Sequence, residues 1–219
     1  RGKGRSGWLA GSGCALSAAD LALLHQNAPD MVPAVKQATG DLDRMAEDRM
    51  LAGSSLAILS GDDDLTLAMM RDTRISASGV ISVMSNIVPG AVSQLVRAQA
   101  AAEDERARAL EAQLKPLFGL VGCAVPAKRT LAGGREVVTT DKFRNPSPVK
   151  TMMAGLGMLS HGLRAPLGSM SRAAVAQCRA ALRTVHQSAP ELLQPIEAAF
   201  SVSITARLAD DDVWSALCR

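Results

Sequence analysis

Lys36 stands in "MVPAVKQATGD" (31–41), after a short apolar run and just before a Gly-Asp turn. A lysine at such a strand end has two readings. It can snorkel, burying its methylene stem and leaving the ammonium in water. Or it can be desolvated, neutral often enough to attack a carbonyl and form a Schiff base. The other reactive side chains are scattered. Cys14, Cys123, Cys178 and Cys218 form no C-x-x-C pair and read as buried, reduced thiols of a cytoplasmic protein. His25, His161 and His186 lack the i,i+4 or clustered spacing of a zinc site, so no metal is expected. Asp62 and Asp63, in "SGDDD" (60–64), suggest a metal pair or, more simply, the acidic cap of a helix. The chain has no tyrosine, so no phenol is available to catalysis.

A hydrophobic share of 47% with 21% charged residues describes a folded globular chain, not a disordered one. The net charge of +3 is too small to imply a nucleic-acid or membrane-surface partner. With three Phe and two Trp in 219 residues, the core must be aliphatic and rich in Met. No apolar run reaches the roughly 20 residues of a membrane helix, and nothing near the start reads as a signal peptide. The chain begins at Arg1 rather than Met, which points to processing or truncation.

A period emerges from Ser17. "SAADLALLHQ" (17–26) reads as a helix with Ser17 as its cap, "MVPAVK" (31–36) as a strand, and "DLDRMAEDRMLA" (41–52) as an acid-opened helix. "SLAILS" (55–60), "DDLTLAMMRDT" (63–73) and "GVISVMS" (79–85) continue as strand, helix and strand. Strands separated by helices are the signature of βαβ units and a parallel sheet. Right-handed crossovers would bring all three strand C-termini to one edge, where the chemistry of α/β folds collects. Lys36 is at such an end.

After Pro89 the pattern changes. Residues 90–119 read as one long helix or two in series. In 122–148, Gly133-Gly134 separates two strand-like arms, a β-hairpin insertion whose Lys128, Arg129 and Arg135 suit either an anion or a solvated tip. The rest is helical, interrupted at Pro166 and Pro190, with a short helical tail over 209–218. The expected organisation is a barrel segment over 1–89 and a helical C-terminal domain over 90–219.

"AVKQATGDLDRM", "LSGDDDLTL", "SGVISVMSNIVPG" and "RNPSPVKTMMAGLGM", in that order, resemble the dihydrodipicolinate synthase branch of the N-acetylneuraminate lyase superfamily. The resemblance runs from about Ser17 to Phe200, interrupted by the hairpin. It implies an α/β fold, the last three βα units of a (β/α)8 TIM barrel followed by a mostly helical domain. It also implies a homotetramer that condenses pyruvate with L-aspartate semialdehyde in lysine biosynthesis, with no metal or organic cofactor. By this resemblance Lys36 is the Schiff-base lysine. Ile81 falls where the family brings a backbone group against pyruvate, while its side chain reads as core, and Gly61 would permit close backbone approach at the same mouth. Arg5, in "GRSG" (4–7), is the candidate for the carboxylate-binding arginine. Its spacing to Lys36 is long for the family; the alternative frame "GSGC" (11–14) has Gly11 at that position, and a disordered basic start is an equal reading.

The family's relay tyrosine would fall ahead of Arg1, with the first five strands also absent. Three strands cannot close a barrel and would expose edges and apolar faces. The expectation is therefore the C-terminal part of a synthase, inactive alone. A sialic acid or keto-sugar-acid aldolase of the same superfamily, or a non-catalytic relative, are the competing readings.

Overall fold

The computed structural model describes residues 16–160 and 163–218. They form two compact units: one takes the described chain up to Ser82 together with Val96–Ala107, the other Val83–Leu95 together with the described chain from Arg108 on.

The first unit opens with α1 (Ala18–Asn27), started by a capping box. Ser17 Oγ accepts the Asp20 N–H at 3.1 Å, and the Asp20 carboxylate accepts the Ser17 N–H at 3.0 Å. Buried His25, on the same helix, bonds Val32 O and Ser55 Oγ, each at 2.8 Å, which accounts for it as structural. Three strands follow, β1 (Ala34–Gln37), β2 (Ala57–Ser60) and β3 (Gly79–Val80), all parallel in the order β1-β2-β3. Between them run α2 (Leu42–Ala52) and, after a 3-10 turn at Asp63–Leu65, α3 (Thr66–Arg71). Asp41 caps α2 by accepting the Arg44 N–H at 3.1 Å. At its other end Arg49 gathers the carbonyls of Gly53, Leu56 and Ile75, tying helix end, strand start and loop together. The core is aliphatic and Met-rich, as the composition requires: Met45, Ile58, Met69, Ile75 and Ala77 form one cluster. Leu21, Ala22, Ala52 and Leu56 form another, and Val35 of β1 packs against both.

β3 is shorter than the apolar run 79–85 implies. Only Gly79 and Val80 pair with β2, at Leu59 and Ser60, and Ile81 adds one N–H bond to Ser60 O at 2.7 Å. β2 ends at Ser60, and beyond Ile81 the chain turns into a 3-10 helix at Met84–Asn86.

The stretch 90–119 resolves into two helices, α4 (Pro89–Ala100) and α5 (Asp104–Phe118), broken where Ala102 takes a φ of 57°. The second unit then carries an antiparallel hairpin of β4 (Cys123–Thr130) and β5 (Glu136–Phe143). Its turn uses Gly133 and Gly134, whose φ of 92° and 83° suit glycine. Cys123 and Val125 are buried at the base, whereas both strands are exposed toward the tip. Helices α6 (Ser147–Gly155), α7 (Arg172–Ser188), α8 (Gln194–Phe200), α9 (Ile204–Ala209) and α10 (Asp211–Ser215) complete it. Trp214 lies on α6 where Gly155 leaves no room for a Cβ, and its indole N–H donates to Arg207 O at 2.9 Å. No helix among the described residues is long and apolar enough to cross a membrane.

Candidate active site

Because β1, β2 and β3 are parallel, their C-terminal ends meet at one edge, and that edge carries Lys36, then Gly61-Asp62-Asp63, then Ile81-Ser82. The register sets Lys36 beside Leu59. The Gly61 N–H donates to Gln37 O at 2.6 Å, prolonging the ladder by one bond past the strand ends. A Cβ at Gly61 would lie 2.6 Å from Ala38 Cβ, 2.7 Å from Lys36 Cε and 3.0 Å from Gln37 O. Only glycine therefore lets β2 turn away here, and the lysine stem lies across that glycine.

Strand alternation turns the next residue inward. Gln37 is buried and donates to the Asp48 carboxylate, which also receives Arg44 Nε at 3.0 Å. Burial pushes the Asp48 carboxyl above the usual carboxylate range, against the pull of Arg44 and Gln37. This pair locks α2 to β1 one residue past Lys36. Lys36 itself is exposed, and among the described residues the outer edge of β1 has no paired strand.

Asp62 does not act as the expected helix cap: at the cap position of the 3-10 turn it makes no capping bond, while Asp63 lies in the first turn. The Asp62 carboxylate instead accepts the Gly40 N–H at 3.2 Å, while Asp63 accepts the Ser82 hydroxyl. The Asp62 carboxyl is held above its ordinary range, chiefly by burial; Asp64 and Asp63 add to this, while the Gly40 N–H and the charge of Lys36 oppose it. Ile81 is 46% exposed, so its side chain is not the core residue expected, and its N–H is engaged by Ser60. Arg5 lies outside the described residues.

Other reactive groups are accounted for by the fold. Burial, with Cys123 nearby, pushes the Cys178 thiol up to about 12, which removes it as a nucleophile. Cys123, Cys178 and Cys218 are unpaired thiols. Among the described residues no three His, Cys, Asp or Glu side chains gather where a metal could sit. The second unit has a groove of about 590 Å³ along α7 and α10 that includes Arg172, Arg179, Arg183 and Trp214. There Arg179 donates to Leu208 O at 2.9 Å and Asp211 at 2.6 Å, and Arg183 also donates to Leu208 O, so these guanidiniums cap α9. Hairpin residue Arg129 pairs with Asp141 at 2.5 Å, in keeping with a solvated hairpin rather than an anion site.

A model of the dihydrodipicolinate synthetase family matches residues 10–132. The 4-hydroxy-tetrahydrodipicolinate synthase of Aquifex aeolicus is 36% identical over 140 residues, 64% of this chain and 40% of that protein. The enzyme of the same name from Thermomicrobium roseum is 33% identical over 169 residues, 76% of this chain and 49% of its own. The crystal structure of dihydrodipicolinate synthase from Aquifex aeolicus superimposes with a TM-score of 0.61 at 33% identity, over 76% of this chain and 49% of that one. The α/β fold is thus that of the TIM-barrel superfamily. The chain spans about half the length, or less, of the curated relatives it matches.

Proposed function

The chain belongs to the dihydrodipicolinate synthetase family, and from that premise we propose that it carries the Schiff-base half of a pyruvate-dependent synthase. The reaction is condensation of pyruvate with L-aspartate semialdehyde to 4-hydroxy-tetrahydrodipicolinate, as the names of its relatives suggest. The observation that carries the reading is Lys36 at the C-terminal end of a parallel strand, with its stem across a glycine that admits no Cβ.

In this reading the neutral Lys36 amine attacks the pyruvate ketone and water leaves, forming an imine. Protonated, the imine withdraws electrons and acidifies the pyruvate methyl group. The resulting enamine forms the new carbon–carbon bond at the aldehyde carbon. Gly61 and the main chain at Ile81 line the pyruvate side, and Arg5 binds a substrate carboxylate. The Ile81 N–H is spent on Ser60, so its carbonyl is the group left to face substrate.

The three strands are proposed as the last three βα units of the barrel. The outer edge of β1, unpaired among the described residues, the exposure of Lys36 and the lack of any tyrosine support the corollary that the isolated chain does not turn over. Assembly as a homotetramer and a cytoplasmic location, in keeping with the unpaired thiols, belong to the same proposal.

The test is reconstitution with the part of the Aquifex aeolicus relative that this chain does not match. Pyruvate consumption dependent on L-aspartate semialdehyde is expected. Consumption only with sugar aldehydes would move the assignment to a keto-sugar-acid aldolase. Turnover by the isolated chain would refute the partial-barrel reading.

A further inference from the structure

The loops that leave β1 and β2 are stitched together at two points flanking Lys36. One is the backbone bond from Gly61 N–H to Gln37 O. The other runs through a side chain, from Gly40 N–H to the Asp62 carboxylate at 3.2 Å. Gly40, with a φ of 67°, is the bend that ends the lysine loop before Asp41 caps α2. Asp62 has little freedom to release it. Ser60 Oγ donates to Asp62 O at 2.8 Å and accepts its N–H at 3.3 Å, and Thr66 Oγ1 donates to the same carbonyl at 3.2 Å. A carboxylate that only capped the following turn would use its side chain on that turn, and this one does not.

We propose that Asp62 is a positioning residue for Lys36: its carboxylate fixes the bend that follows the lysine strand and so holds that strand end, and the lysine on it, in place. This rests on the Schiff-base reading of Lys36 for its functional sense, though not for its geometry. The charged groups around the carboxylate are Lys36, Asp63 and Asp64.

The experiment uses the 219-residue chain without pyruvate, so its outcome is independent of whether a Schiff base forms. Asp62→Asn keeps an oxygen acceptor for Gly40 and removes the charge; Asp62→Ala removes both; Asp64→Asn is the control, because Asp64 is exposed. Two quantities are read: hydrogen exchange at the Gly40 amide, and the rate at which acetic anhydride, an uncharged reagent, acetylates Lys36, followed by peptide mass spectrometry. Gly40 exchange should rise about tenfold in Asp62→Ala and stay near wild type in Asp62→Asn. The Lys36 rate should change at least about threefold in Asp62→Ala, where the bend is released, and stay near wild type in Asp62→Asn and in Asp64→Asn. Unchanged Gly40 exchange or an unchanged Lys36 rate in Asp62→Ala overturns the proposal. Should the alanine variant fail to fold, Asp62→Leu, which also lacks an acceptor, takes its place under the same two readings.

Discussion

At the scale of single residues, the site turns on what Gly61 lacks. The clash a Cβ would make with Lys36 Cε and Ala38 Cβ means that Gly61→Ala must displace the lysine or part the two strand ends. A displacement of about 1 Å costs up to a hundredfold in reactivity, so imine formation at Lys36 should drop at least about tenfold. Borohydride trapping with pyruvate measures this; a Gly61→Ala chain that traps like wild type would mean the stem is free to move aside. The placement of Lys36 and Gly61 at strand ends was legible in the sequence because a polar residue ending an apolar run, and a glycine at the next strand's exit, are local signals. The acids were not. Capping is the local expectation for Asp62 and Asp63, but their partners Gly40 and Ser82 lie 22 and 19 residues away and are brought near only by the parallel register.

At the scale of elements, α2 is anchored to β1 through the buried Asp48, shared by Gln37 and Arg44. Its carboxyl is raised by burial, so the folded chain binds that proton more tightly than the unfolded one. The stability this lends is full below the ordinary carboxylate range and falls as pH rises through the raised folded value. Asp48→Asn should abolish that fall, so its stability relative to wild type improves between pH 3 and pH 7 in urea unfolding. A constant difference across that range would show that Asp48 titrates as in the unfolded chain. In the hairpin, Ala127 pairs with Thr139, and most of what lies beyond is exposed. Replacing residues 128–138 with Asn-Gly should change stability by no more than about 0.5 kcal/mol; a larger loss would show that the tip is held by something in the fold. The helices and the first two strands follow from acidic helix starts and continuous apolar runs. The length of β3 does not, because β propensity in 79–85 cannot report that β2 stops at Ser60.

At the scale of the whole chain, family membership is clear. Among the described residues the sheet that carries Lys36 has three strands and the outer edge of β1 is unpaired, and the chain has no tyrosine. The central claim nonetheless concerns one amine, and the chain carries its own controls in the exposed Lys115, Lys128, Lys142 and Lys150. The decisive measurement is borohydride trapping with pyruvate on the 219-residue chain and on Lys36→Ala, with adducts assigned by peptide mass spectrometry. The account predicts a reduced pyruvate adduct on Lys36 at least about tenfold above any of those four lysines, and none at that position in the variant. Labelling of Lys36 no faster than of its exposed neighbours would contradict it, leaving a snorkelling lysine at the end of a strand.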